Sequence, residues 1–170
     1  MRWDEIDDSL CSLARTLGVI GDRWTMLILR EAFLGSRRFD EFQRGAGAAP
    51  HLVASRLKKL VTAEVLEKRL YEQRPPRYEY RLTERGHELY PALIALIGWG
   101  EKWLKSPQGP ATIRVHKGCG QPLRVTATCA ACGEPVTARD VAATITPRYA
   151  AERTRRAAAI GAHQRRQEQE

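Results

Sequence analysis

Residues 50–62, Pro50-His51-Leu52-Val53-Ala54-Ser55-Arg56-Leu57-Lys58-Lys59-Leu60-Val61-Thr62, constrain the fold of this chain more than any other stretch. At helical spacing Val53, Leu57, Leu60 and Val61 fall on one face, while His51, Ser55, Lys58, Lys59 and Thr62 point away from it. A helix with an apolar back and a basic front needs other elements packed behind it. Pro50 suits its first position, where a backbone N–H has no partner inside the helix.

The flanking sequence supplies those elements. Upstream, Leu10, Leu13, Ala14, Leu17 and Ile20 predict a first helix ending at Gly18 or Gly21. Asp22 is placed to cap a second helix whose apolar face is Trp24, Leu27, Ile28, Ala32 and Phe33, with Gly35 as its stop. A short helix is expected over residues 39–44 and a turn over 45–50. Downstream, two β-like segments at 66–72 and 78–82 flank Gln73-Arg74-Pro75-Pro76-Arg77. Paired prolines do not fit inside a sheet, so they mark a hairpin turn with an arginine on either side. Thr83 then caps a long helix carrying Leu89, Leu93, Leu96, Ile97, Gly100, Trp103 and Leu104, with a kink expected at Pro91. Ser106-Pro107-Gln108-Gly109-Pro110 is a linker.

Charge narrows the choice of partner. The formal net charge is +8, which favours polyanions. Residues 51–85 hold Arg56, Lys58, Lys59, Lys68, Arg69, Arg74, Arg77, Arg81 and Arg85 against five acids. A second basic region, with Arg148, Arg153, Arg155, Arg156, Arg165 and Arg166, lies in the tail. No run approaches the roughly 20 apolar residues of a membrane span. Residues 1–8 are acidic with no apolar core, unlike an export signal, so the expected location is cytoplasmic.

Helices meeting at a turn, followed by a hairpin with a basic tip, are the parts of a winged helix-turn-helix. In order along the chain, Ile20-Gly21-Asp22-Arg23-Trp24, Leu27-Ile28-Leu29-Arg30-Glu31, Arg37-Arg38-Phe39-Asp40-Glu41-Phe42, Arg56-Leu57-Lys58-Lys59-Leu60, Pro75-Pro76-Arg77-Tyr78-Glu79-Tyr80, Leu82-Thr83-Glu84-Arg85-Gly86 and Trp99-Gly100 resemble the HxlR family of bacterial regulators, a MarR-like winged-helix group. The resemblance implies a transcription regulator that binds double-stranded DNA as a homodimer built from the first helix and the last long one. It further implies a recognition helix at about residues 50–62 and a wing at about 66–82. The candidate DNA contacts are Arg38, Pro50, His51, Ala54, Ser55, Arg56, Lys58, Lys59, Arg74 and Arg77. Many relatives carry Ser where this chain has Ala49, a poorer cap by about 1 kcal/mol, and a hydroxyl where it has Ala54. Trp24, Trp99 and Trp103 are expected mainly in core or interface, where a Trp-lined dimer interface offers an apolar pocket for a small-molecule inducer.

Four cysteines remain. His116-Lys117-Gly118-Cys119-Gly120 and Cys129-Ala130-Ala131-Cys132-Gly133 repeat one pattern: a ligand, two residues, a cysteine and a glycine. Two such turns can direct His116, Cys119, Cys129 and Cys132 to one tetrahedral ion, as in a zinc ribbon with a structural Cys3His zinc. A reduced, unliganded Cys pair and a Cys129–Cys132 disulfide switch are the alternatives. Cys11 opens the first helix, where a helix N-terminus lowers a thiol pKa; in some members of the HxlR family a Cys near this position senses oxidants, though a buried or half-buried bystander thiol is the favoured reading here, and a thiol- or metal-responsive sensor using Cys11 or the Cys119, Cys129 and Cys132 cluster is the alternative function. His51, His87 and His163 lie on separate segments and no nucleophile–base set stands out, so an enzyme is not expected. The expected fold is mainly α with a small β wing. It comprises a winged helix-turn-helix domain (1–105), a linker (106–112), a small zinc-ribbon-like β module (113–147) and a basic tail, helical or disordered (148–170).

Overall fold

A computed structural model of the chain describes residues 9–167. Residues 1–8, and with them the expectation about an export signal, lie outside the described residues, as do the side chains beyond Ala159, including Arg165 and Arg166 of the basic tail. The elements are α1 (Ser12–Ile20), α2 (Arg23–Phe33), α3 (Phe39–Ala46), α4 (Pro50–Thr62), β1 (Leu66–Gln73), β2 (Pro76–Leu82), α5 (Glu84–His87), α6 (Tyr90–Trp103) and α7 (Pro147–Gln167). They form two compact units, one of Met1–Asp22 with Val141–Glu170, the other of Arg23–Asp140. Among the described residues no helix is long and apolar enough to cross a membrane.

In the larger unit α2, α3 and α4 pack on one another, and α4 leads into β1. Ile28 of α2, Phe42 of α3, and Val53, Leu57 and Leu60 of α4 are wholly buried. Each such side chain contributes roughly 1.5–3 kcal/mol through burial. Trp24, expected in this core, is half-buried, with the Arg23 guanidinium 5.1 Å from its ring centre.

The turn expected over 45–50 is shorter, because Gly45 and Ala46 continue α3 and only Gly47 takes the left-handed conformation (φ 64°) that stops it. Gly45 has its own reason to be glycine. A Cβ there would sit 2.1 Å from a carboxylate oxygen of the buried Glu31, which pairs with Arg30 at 2.7 Å.

The start of α3 is held by one carboxylate. Glu41 accepts hydrogen bonds from the backbone N–H of Arg37 (2.7 Å) and of Arg38 (2.9 Å). These two bonds, Arg37 first, hold its carboxyl below the usual value of 4.5. A lowered folded pKa makes this stabilisation fully present above the ordinary carboxylate range and lost as pH falls through the folded value. Glu41→Gln is therefore expected to lower the urea midpoint at pH 7 and to narrow its gap from wild type on acidification toward about pH 3. A gap that stays constant with pH would remove the carboxylate from this role.

β1 and β2 pair antiparallel from Leu66↔Leu82 to Gln73↔Pro76, with a bulge between Leu70 and Glu72. The hairpin is tighter than the paired prolines suggested: Pro76 begins β2, and Arg74 and Pro75, joined by a cis bond, make the turn. Proline is tolerated at the first residue of a strand, where no ladder amide is required of it. Thr83 caps α5 as expected, its Oγ1 accepting from Gly86 N at 3.1 Å. The long helix expected to kink at Pro91 is instead broken into α5 and α6, with Pro91 in the first turn of α6. Proline lacks the amide and clashes with the carbonyl four residues back, but it fits a helix start. The stripe on α6 is split as well. Leu93 and Ile94 are buried, whereas Leu96, Trp99 and Trp103 are 58%, 58% and 63% exposed.

Beyond α6, the expected β module has no strand among the described residues. Two isolated bridges, Val115↔Pro122 and Thr128↔Pro135, stand in its place. Each pairs with a proline, which has no amide to extend a ladder. In the smaller unit the tail is the helix α7. Its Glu152 carboxylate accepts from Ser9 Oγ and Leu10 N, both at 2.9 Å, and so ties α7 to the chain entering α1.

Candidate nucleic-acid interface

α4 is set by its two ends and its buried back. Ala49, extended at the N-cap position, offers no side-chain cap, and Pro50 follows at the first turn. Val53, Leu57 and Leu60 fix the helix from behind, so that His51, Ala54, Ser55, Lys58, Lys59 and Thr62 are all exposed along its front. Arg56 is half-buried at the edge of that front, its Nη1 donating to Ser55 Oγ at 3.2 Å. No acid occurs anywhere in α4. The positive end of the helix dipole, the orphan N–H groups of the first turn and the two lysines therefore add with one sign.

The hairpin carries Arg74 and Arg77 exposed at its tip. Arg77 Nε lies 3.3 Å from Glu72 Oε2. Its guanidinium is held even more firmly protonated than usual, first by the Tyr71 hydroxyl and then by Glu72. Lys68 Nζ stands 3.8 Å from the Tyr78 ring centre. Arg38, also exposed, stacks over Tyr71 at 4.8 Å and pairs through its backbone with Glu79 in an isolated antiparallel β-bridge, while Tyr80 N donates to Arg37 O at 2.7 Å. The chain entering α3 thus fastens to β2 and fixes how the wing leaves the helices.

The excess of bases counted over residues 51–85 is not evenly spread. Arg69, Arg77, Arg81 and Arg85 pair with Glu67, Glu72, Glu79 and Glu64 at 2.5, 3.3, 2.8 and 3.6 Å. Four of the five acids of this stretch thereby face wing and α5 arginines, leaving the front of α4 uniformly basic. Tyr71, which contacts both Arg38 and Arg77, did not stand out in the sequence. Its role depends on the bulge that places it, and a bulge has no residue signature here.

The other candidates lie apart. Cys11 is the N-cap residue of α1 and half-buried. Its thiol is held below 9.0 by the Ala14 backbone N–H first and then by a hydrogen bond with Tyr149. In the 113–147 segment, His116 Nδ1 lies 3.3 Å from Cys119 Sγ, and Cys129 and Cys132 hydrogen-bond to each other. Each turn thus brings its own pair together. Among the described residues, no three His, Cys, Asp or Glu side chains are gathered as metal ligands. Two clefts open along α6. One of about 820 Å³ is lined by Arg30, Leu34, Ile97 and Leu104 among others, and one of about 610 Å³ by Trp99, Trp103, Arg114 and Leu123 among others.

Residues 19–108 match the HxlR-like helix-turn-helix family. The uncharacterized HTH-type transcriptional regulator Rv3095 of Mycobacterium tuberculosis is 42% identical over 130 residues, covering 76% of this chain and 82% of the relative. Among solved structures, that of PA1607 is similar with a TM-score of 0.74 at 36% identity, over 84% of this chain and 99% of that one. The redox regulator HypR in its reduced form gives a TM-score of 0.53 at 30% identity, over 56% of this chain and 95% of that one.

Proposed function

The chain belongs to the HxlR-like helix-turn-helix family, whose similar relatives are HTH-type transcriptional regulators, and from that premise we propose that it binds double-stranded DNA as a homodimer, with α4 in the major groove and the β1–β2 wing on the adjacent backbone or minor groove. The observation that carries this is the division of α4: a wholly buried back and a front without an acid. A helix about 10–12 Å across fits a major groove about 12 Å wide. Lys58, Lys59 and the helix N-terminus meet phosphate, while His51 and Ser55 are placed for base edges. Arg38, Arg74 and Arg77 then reach the neighbouring backbone.

The dimer is supported by apolar side chains that each unit leaves exposed. Leu13 and Leu17 of α1 are 66% and 39% exposed, and Trp99 and Trp103 of α6 are more than half exposed. The cleft beside Trp99 and Trp103 is the place for an inducer under the same proposal.

The test is the salt dependence of binding to an operator selected from random duplexes. With about eight phosphates neutralised per dimer, the slope of log affinity against log salt is expected near −7, with two chains bound per duplex. An affinity independent of salt, or one chain bound per duplex, would overturn it.

A second reading, thiol sensing at Cys11, is favoured by the lowered thiol and by the likeness to a redox regulator. Cys11 is expected to react with iodoacetamide at a lower pH than an ordinary thiol, and Cys11→Ser to make operator affinity insensitive to diamide. An unchanged diamide response in that variant would exclude it.

A further inference from the structure

The segment between α6 and α7 is built without a core, since no residue from 101 to 150 is buried. Yet it contains two turns in which three backbone hydrogen bonds and a bridge repeat. In the first, His116 N donates to Gln121 O (2.9 Å), Gly120 N to His116 O (2.8 Å) and Leu123 N to Arg114 O (2.8 Å), beside the bridge Val115↔Pro122. Thirteen residues on, Cys129 N donates to Glu134 O (2.9 Å), Gly133 N to Cys129 O (2.8 Å) and Val136 N to Ala127 O (2.9 Å), beside Thr128↔Pro135. Gly120 and Gly133 occupy the same left-handed position, at φ 70° and 75°. Each turn brings its own two candidate ligands together, His116 Nδ1 lying 3.3 Å from Cys119 Sγ and Cys129 hydrogen-bonding to Cys132, while the two pairs stand apart from one another.

Two closely matching backbone devices in a coreless segment call for a common purpose that apolar burial does not supply. Both turns have the form of a metal knuckle, in which a left-handed glycine after the second ligand turns the chain tightly around a sulfur. We propose that His116, Cys119, Cys129 and Cys132 together bind one zinc ion, which draws the two pairs onto a single tetrahedral centre and supplies the stability the segment lacks. Residues 121–128 connect the two turns, and binding one ion requires them to bring the pairs together. Three thiolates and one imidazole are a soft-to-borderline set suited to Zn2+. The thiols release their protons to solvent as the ion binds, and with four protein ligands there is no open position, so the ion is structural. Arg114 pairs with Glu101 of α6, so ordering the first turn also orders the segment against that helix. This inference stands apart from DNA binding and succeeds or fails independently of it.

The test uses the full-length chain. Elemental analysis after purification without chelator is expected to give one zinc per chain. After removal of zinc under reducing conditions, cobalt(II) is expected to bind at one equivalent with the intense visible bands of a tetrahedral thiolate site. Cys119→Ser and Cys129→Ser, one from each turn, are each expected to weaken cobalt binding at least a hundredfold, while Cys11→Ser leaves it unchanged. Far-UV circular dichroism confirms that each variant retains its helices. The proposal is overturned if the reduced protein binds no metal, or if either serine variant keeps the wild-type cobalt spectrum. It is equally overturned by two equivalents per chain, or by a Cys129–Cys132 disulfide that persists in reductant.

Discussion

Exchanging Lys58 and Lys59 together for alanine is expected to lower operator affinity on the order of a hundredfold at moderate salt, and to flatten the salt dependence. Both side chains are exposed on α4, away from Val53, Leu57 and Leu60, so the fold loses nothing that packs. Two charges per subunit are four per dimer. At about 0.9 of a counterion released per phosphate contact, the log–log slope falls in magnitude by about 3.6. Sequence preference is expected to survive, because lysine–phosphate contacts position a helix without selecting bases. Filter binding or anisotropy across a salt series measures both quantities. A variant with wild-type affinity and slope would move the interface off α4.

The largest loss of stability is expected from Phe42→Ala. Phe42 is fully buried on α3 and meets Tyr80 of β2 edge to face, with ring centres 6.2 Å apart. Removing the ring deletes its burial and leaves a cavity between the helices and the wing, at a cost of about 3–5 kcal/mol. For a domain whose whole stability is about 5–15 kcal/mol, that shift should be plain in both urea midpoint and thermal melt. A loss below about 1 kcal/mol would mean that this cluster does not hold the wing to the helices.

How far the sequence disclosed this molecule depended on how local each cause was. α4 is legible from end to end because Pro50 and the periodic Val53, Leu57 and Leu60 lie within the element itself. Thr83 and Gly35 are equally local signals. Pro91 was readable as a disruption, but the choice between a kink and a break depends on the residues before it, which form α5 as a separate short turn. The hairpin tip was misjudged by two residues because pairing register, not proline count, decides where a strand begins.

The candidate interface divides the same way. The basic front of α4 follows from one helical period. The pairing of wing arginines with Glu67, Glu72 and Glu79 depends on strand geometry, and so does the stacking of Arg38 on Tyr71. In the 113–147 segment the repeated ligand spacing was visible in the sequence, whereas the repetition of three backbone bonds and a bridge around it was not.

The central claim is that the exposed face of α4 enters a major groove. Dimethyl sulfate methylates guanine N7, an atom that faces that groove, so protection within a selected operator tests the claim directly. Two protected patches centred about 10–10.5 base pairs apart, lost in the Lys58/Lys59 double alanine variant, are the expected result. Tight binding that leaves every guanine N7 as reactive as in free DNA would contradict it.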